Sequence, residues 1–254
     1  MVYDIQKASM WKRFSAYLFD MILFIIIAVG VAFLLSSLLN YEGYLNKRET
    51  IRDSYEEQYN VDFDLSKEDY DKLTEDKRKV IDDAYTEFVT DPEVNKIDLM
   101  LANLVLIIVT FAALCPYLLL EFVVPLIIHN GQTVGKKVFG VGLMRIDGVK
   151  ISPLQLFVRS ILGKCTIGTL LPAFLLLMLM FNYMPMVGFV GILALTIVQF
   201  FCIVTTKYHT PIHELLSATV SVDISSQLIF DTPEALLEYK KAIHAKEAEK
   251  SAYI

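Results

Sequence analysis

Cysteine is scarce in this chain of 254 residues, which contains only three. All three lie in or beside long apolar runs, at Cys115, Cys165 and Cys202. Disulfide frameworks belong to cysteine-rich, loop-rich chains, so this usage argues against one. We interpret the three thiols as small apolar side chains that pack in a core.

A phosphate-binding loop is also missing, although the segment Gly131–Lys136 comes close to its pattern. A P-loop places four residues between two glycines and a Ser or Thr after its lysine. This segment has three residues between its glycines, and Lys137 follows its lysine. The pattern argues against nucleotide binding and favours a tight turn that brings Lys136 and Lys137 to lipid headgroups. The loop motif consists of Gly131, Gln132, Thr133, Gly135 and Lys136.

Metal-binding motifs are incomplete as well. His213-Glu214 begins like the helix of a zinc protease, but Ser217 stands where the second histidine is needed. His209 and His213 are four residues apart, yet Pro211 between them disfavours a shared helical face. The sequence therefore predicts no metal site and no cofactor.

The chain is rich in apolar sequence instead. Hydrophobic residues make up 55% of it and charged residues 20%, and the mean hydropathy is +0.49. A membrane-spanning helix needs about 20 mostly apolar residues. We predict four spans, at about Phe14–Leu39, Leu99–Ile128, Cys165–Met180 and Met184–Thr205. The first run is about twice as long as a signal-peptide core and no small-residue cleavage site follows it, so we expect a retained span.

Composition divides the chain into six segments. Residues 1–40 hold the N-terminus and first span, 41–98 an acidic insertion, 99–128 the second span, 129–164 a polar loop, 165–206 the third and fourth spans, and 207–254 a C-terminal segment that ends in a helix. Only Phe181–Tyr183 separates the last two spans, which predicts a tight helical hairpin.

The acidic insertion carries 18 acidic and 9 basic residues, a local net charge of −9. Ser66 followed by Asp69 is typical of a helix N-cap. Apolar residues then recur at helical spacing until Asp91-Pro92 ends the pattern. The stripe consists of Leu73, Val80, Ile81, Ala84, Tyr85 and Phe88. We predict a helical hairpin whose acidic face is either merely solvated or binds a cation or partner.

The polar loop shows two local patterns. Val141–Ile146 and Val149–Ile151 are strand-like runs joined by Asp147-Gly148, which predicts a β-hairpin. Ser152-Pro153 then predicts the start of an amphipathic helix that extends to Lys164 and lies in the membrane interface.

Lysine and arginine predict the orientation of the spans. They cluster before the first span, between the second and third, and after the fourth, at Lys7, Lys12, Arg13, Lys136, Lys137, Arg145, Lys150, Arg159, Lys164 and Lys207. These segments fall on one side of a four-span topology, which should be the cytoplasm. Both termini should therefore be cytoplasmic, and the acidic insertion extracytoplasmic.

Two carboxylates interrupt the predicted spans. Asp20 lies about two turns from the start of the first span, and Glu121 about two turns from the end of the second, so antiparallel neighbours would place them at similar depth. A charge at the bilayer centre costs about 3 kcal/mol. The two could form a proton- or cation-binding pair. Alternatively, Asp20 pairs with Arg13 or Arg159 near the cytoplasmic interface and fixes how the loop docks. An intramembrane aspartyl protease needs two aspartates in facing spans. Only Asp20 qualifies, because Glu121 is a poor substitute for the second aspartate.

Several of these residues also carry a family resemblance. Trp11–Phe14 with Asp20, the Gly131–Lys136 loop that leads into Val138–Val141, and the later Arg159 resemble the signature of the RDD family of small membrane proteins. The family's last motif is His-Asp before a small-residue stretch and Thr-Val, which here begins His213-Glu214, with Glu in place of Asp. The resemblance implies the four-span fold, and solute or cation transport.

We therefore expect an all-α membrane protein, a four-transmembrane-helix bundle with a cytoplasmic β-hairpin and interfacial helix and an extracytoplasmic helical insertion. The expected function is a small transporter or transporter component for a cation, proton or small solute, and not an enzyme. The alternative is a non-catalytic scaffold or assembly factor that binds a partner through the acidic insertion. The expected partners are the lipid bilayer of the cell membrane and a second copy or membrane protein, and no nucleic acid. The candidate charged cluster is Arg13, Asp20, Glu121, Arg159, His213 and Glu214.

Overall fold

The computed structural model describes residues 5–128 and 130–252. The predicted loop start at residue 129 and the outermost residues of the first and last segments lie outside this part. In chain order the elements are α1 (Met10–Leu38), α2 (Tyr41–Tyr59), α3 (Lys67–Asp71), α4 (Glu75–Thr90), α5 (Pro92–Ile127), α6 (Val134–Val138), β1 (Val141–Arg145), α7 (Pro153–Met180), α8 (Pro185–Thr205), α9 (Ile212–Leu216), β2 (Thr219–Asp223) and α10 (Pro233–Ala252).

The chain is an all-α membrane protein, as predicted. Helices α1, α5, α7 and α8 are each long and apolar enough to cross a membrane. Large apolar side chains lie exposed along them, such as Phe33 at 77% and Phe200 at 69%. Lipid, rather than protein, is the environment in which such surfaces are stable. Helix α5 starts seven residues before the predicted span because Pro92 suits the first position of a helix.

Two of the spans contain π-helical stretches, at Leu119–Val123 of α5 and Val158–Leu170 of α7. Pro125 has no backbone N–H to donate to the carbonyl of Glu121, four residues earlier. That carbonyl instead accepts a hydrogen bond of 2.7 Å from the Oγ of Ser160 in α7. A neighbouring span thus compensates for the proline, as membrane helices require.

The predicted interfacial helix is not a separate element. Ser152 caps it as expected, with Pro153 at the first position, but the helix continues unbroken to Met180 as α7. Its polar residues Arg159 and Lys164, which suggested a headgroup-facing side, bind carboxylates on neighbouring elements. The amphipathic pattern therefore marks an internal charged site.

The β structure differs from the predicted hairpin in its partner. The Asp147-Gly148 turn forms, and Met144 bridges to Lys150. The main partner of β1, however, is the distant strand β2, which pairs with it antiparallel from Val141↔Asp223 to Arg145↔Thr219. Met144, Val220 and Val222 form a buried core at this sheet. The sheet therefore fastens the C-terminal segment to the loop after the second span.

The structure divides into two compact units, which we name by their content. The insertion unit comprises residues 26–116. In it, α2 and α4 form the predicted helical hairpin, and Ser66 caps α3 by accepting from Asp69 N. Buried Phe88 contacts the rings of Tyr55, Phe63 and Tyr85, and Tyr55 Oη donates to Asp91 at 2.9 Å. The site unit comprises residues 5–25 and 117–252, without 129.

Candidate functional site

The site unit contains seven ionisable side chains that interact with one another beside the ends of α1, α5 and α7. We call this set the charged cluster, and it consists of Arg13, Asp20, Glu121, Lys136, Arg159, Lys164 and Glu214. Five of them were predicted as cluster members from the sequence. The sequence placed Lys136 and Lys164 at the membrane surface instead.

Asp20 is 8% exposed and binds the loop before α6. Its Oδ2 accepts a hydrogen bond of 2.5 Å from Thr133 Oγ1, and its Oδ1 accepts one of 2.7 Å from the backbone N–H of Gly135. The sequence-based expectation that Asp20 pairs with Arg13 or Arg159 is therefore wrong. Neutral donors from the loop satisfy the carboxylate, which docks the loop on the first span.

The loop motif has the local structure that this docking needs. A Cβ atom at Gly135 would overlap the backbone carbonyl of Ala16 and the carboxylate of Asp20, so only glycine permits so close an approach. Gly131 adopts a φ of +62°, which glycine tolerates best. The Thr133 side chain also caps α6 by accepting from Lys136 N, and Gln132 Nε2 donates to Val141 O at 2.8 Å.

Arg159 and Glu214 form a buried ion pair, with 2.9 Å between Nη2 and Oε1. Each residue is 3% exposed. Ser221 Oγ of β2 donates to the same carboxylate oxygen at 2.5 Å, and Arg13 Nη2 donates to Ser221 O at 2.9 Å. Gly163 lets α9 come close, since a Cβ there would collide with His213. The motif residues of α1, α7 and α9 thus meet at one point.

Arg159, Glu214 and the nearby Arg13 leave polar atoms without partners among the described residues. Nε and Nη1 of Arg159, Oε2 of Glu214 and Nε of Arg13 are buried and make no hydrogen bond there. A buried polar atom left unpaired costs about 1–3 kcal/mol, and more when it is charged. The arrangement is therefore not optimised for stability alone.

Glu121 binds Lys164 at 2.6 Å and lies apart from Asp20 in the hydrogen-bond network. Both side chains of this pair are about one-fifth exposed. Tyr117 Oη donates to Ser160 O at 2.7 Å beside them. The predicted pairing of Glu121 with Asp20 is not observed, because each carboxylate has its own partners. Glu121 lies in α5 and Lys164 in α7, so their ion pair joins two different spans. No local sequence pattern reveals such a pair.

A narrow cleft runs between these groups. Its polar lining comes from Glu121, Thr133, Lys136, Arg159 and Ser160. The cleft is too narrow to admit a water molecule. Lys136 lines it, whereas Lys137 is exposed, so the prediction that both lysines reach the headgroups is wrong for Lys136.

His213 faces a different space. It lines a cavity of about 450 Å³ with residues of α7 and α8, among them Gly163, Thr196 and Gln199. Burial, together with the positive charges of Arg159 and Lys164, holds the pKa of His213 far below its usual range. His213 is therefore neutral at physiological pH and does not add to the positive charge of the cluster.

Comparison with family models gives a match over most of the chain. A family model described as the RDD family matches residues 7–213. The matched region includes every member of the charged cluster except Glu214, which follows it directly. Searches of curated proteins and of solved structures give no significant match.

Proposed function

The chain belongs to the RDD family, and on that premise we propose that it is a small transporter, or the membrane component of one, rather than an enzyme. The charged cluster is the observation that supports this proposal. Ionisable side chains in membrane spans are costly and are retained mainly where they move ions or bind ligands. Here several such chains meet, and some of their buried polar atoms have no partner among residues 5–128 and 130–252.

The geometry changes which residues we assign to ion handling. Both carboxylate oxygens of Asp20 are held by the loop, so Asp20 positions that loop. Glu121, Lys136 and Arg159 line the cleft and are the ion-handling groups. A proton suits this cleft better than a metal cation does, because a hydrated ion does not fit there whereas a proton binds to a side chain that already lines the cleft.

Transport through this site needs an opening motion, since the cleft is closed. About one-fifth of each side chain in the Glu121–Lys164 bridge is exposed, and this bridge is where we place the opening. Four spans are few for an alternating-access carrier, so we propose that the active form is a homo-oligomer or a complex with another membrane protein. We place the protein in the cell membrane with both termini in the cytoplasm.

Flux through purified protein in liposomes tests the proposal. A pH-sensitive dye and Na⁺- and K⁺-sensitive dyes inside the vesicles report which ion moves down an imposed gradient. We expect proton flux well above that of empty vesicles, and a loss of flux in Lys164→Met. Asp147→Asn, at the exposed Arg145–Asp147 bridge, is the matched control and should retain the flux. Vesicles that pass none of the three ions would overturn the proposal.

The insertion unit supports a second candidate role, as a scaffold that binds a partner. The end of α2 and the start of α4 border a cavity of about 410 Å³. It combines apolar Val80 and Ile81 with charged Asp62, Asp76 and Lys77, so a partner bound there would contact apolar and charged side chains together. Deleting residues 42–95 should then abolish cross-linking to a neighbouring protein in native membranes while the spans still fold. Unchanged cross-linking would rule this role out.

A further inference from the structure

Lys136 is the one lysine or arginine of the charged cluster whose charged group has no assigned partner. Lys164 binds Glu121, Arg159 binds Glu214, and Arg13 donates to a backbone carbonyl. Lys136 Nζ makes no ion pair within 4 Å anywhere in the described chain. Its backbone is nevertheless fixed, because Lys136 N donates to Thr133 Oγ1 in the docked loop.

Charged groups from every neighbouring element act on Lys136. They are Asp20 on α1, Glu121 on α5, and Arg159 and Lys164 on α7, while His213 on α9 is neutral. Three carboxylates and three other cations of the cluster balance one another. A protonated Lys136 therefore gives the site one excess positive charge, and a neutral Lys136 removes it.

Lys136 is half-buried, and the cleft beside it admits no water molecule, so the ammonium group loses part of its hydration. Burial, with the charges of Lys164 and Arg159, lowers the pKa of Lys136 to about 7, and the attraction of Glu121 and Asp20 only partly opposes this. Both protonation states are then populated near physiological pH.

We propose that Lys136 Nζ is the proton-binding group of the transport site. Its ammonium form gives a proton to water on the side to which the cleft opens and becomes a neutral amine, and the amine takes a proton from water on the other side. No other reactant is needed. This inference rests on the proposed transport function, and it names the group that carries the coupling proton.

The charge change also supplies a reason for the cleft to open. A protonated Lys136 repels Lys164 and competes with it for Glu121, which weakens the bridge that closes the site. A neutral Lys136 neither repels Lys164 nor competes for Glu121, so the Glu121–Lys164 bridge is strongest when Lys136 is deprotonated. Protonation and opening are then linked by their effects on the same salt bridge.

Nuclear magnetic resonance of the full-length protein in detergent micelles tests this assignment without any transport assay. With ¹³C at the lysine Cε atoms, we expect one resonance that titrates with a midpoint near pH 7. That resonance should be missing in Lys136→Arg and present in Lys137→Arg, the exposed neighbour. If all lysine resonances of the wild type titrate above about pH 9, the proposal is wrong, whether or not the arginine variant folds.

Unfolding measurements give a second, independent readout. A native pKa well below the ordinary 10.5 means that the unfolded chain binds one proton more than the folded chain between the two values. The unfolding constant of the wild type, relative to Lys136→Met, should therefore fall about tenfold per pH unit from about pH 7 to about pH 10. A flat ratio contradicts the proposal. If Lys136 titrates as expected but the liposomes show no proton flux, Lys136 is still a proton-binding group, and the transport function is overturned.

Discussion

The Oδ1 atom of Asp20 accepts a 2.7 Å hydrogen bond from the backbone N–H of Gly135. The acid that interrupts the first span therefore holds a loop that follows the second span, and does not bind an arginine. The bond is possible because Gly135 has no side chain to keep the two segments apart. This contact explains why an acid at Asp20 and a glycine at Gly135 occur together.

We predict that Gly135→Ala destabilises the folded protein by about 1–3 kcal/mol, the usual cost of overpacking. The added methyl group would push the loop away from the Ala16 carbonyl and from Asp20. Denaturant unfolding in detergent measures the change. Gly30→Ala is the matched control, since a Cβ at that position of α1 meets nothing within 4 Å. Equal stabilities of the two variants would contradict the docking contact.

A second prediction concerns the buried pair of Arg159 and Glu214. Arg159→Met or Glu214→Leu alone should cost about 3–5 kcal/mol, because each leaves an uncompensated buried charge. The double variant should cost much less than the sum of the two, since it removes both charges. Unfolding free energies of all four proteins give the coupling energy. Additive costs would show that the two side chains do not depend on each other.

The control for this cycle is the exposed bridge between Arg145 and Asp147, whose side chains are 38% and 46% exposed. Solvent screening reduces such a pair to less than about 1 kcal/mol. The same double-mutant cycle on Arg145 and Asp147 should therefore give almost no coupling.

A third prediction uses the ion pair between Lys12 and Asp223, whose Nζ and Oδ2 atoms are 2.5 Å apart. Its hydrogen bond from Lys12, with those from Ser225, lowers the pKa of Asp223 to about 2. A lowered carboxyl pKa stabilises the fold above the unfolded-state value near 4. This contribution is lost as the pH falls from about 5 to about 2.

Unfolding of wild type and Asp223→Asn between pH 7 and pH 2 measures this effect. The stability difference between the two should be constant above about pH 5 and should shrink towards pH 2. Lys12→Met should show the same trend with a smaller amplitude, because the bonds from Ser225 remain. A difference that does not change with pH would show that the bridge does not stabilise the fold.

Much of the fold could be predicted from the sequence because its determinants are local. Long apolar runs specify the four spans, Ser66 specifies a helix cap, and Asp147-Gly148 specifies a turn. The pairing of β1 with β2 could not be predicted, because two spans separate the strands along the chain and nothing local distinguishes that partner from a hairpin strand.

The sequence pointed to some residues of the site but not to their contacts. Rare charges in or near the spans drew attention to Asp20, Glu121 and Arg159, whereas Lys136 and Lys164 were expected at the membrane surface. One of the two hydrogen-bond donors to Asp20 is a backbone N–H, which every residue except proline has and which leaves no signal in side-chain chemistry. Only the glycine at 135, needed for close approach, could have indicated it. Lys136 was misplaced because an isolated lysine in a loop usually reaches water or headgroups.

Proton flux through Glu121→Gln tests the central claim, that the charged cluster handles the transported ion, most directly. The measurement compares initial rates in liposomes that contain equal amounts of folded wild-type and variant protein. We predict a wild-type rate at least tenfold above that of empty vesicles, and a Glu121→Gln rate close to the empty-vesicle value. A wild-type rate no higher than that of empty vesicles, or a Glu121→Gln rate equal to wild type, would contradict the claim.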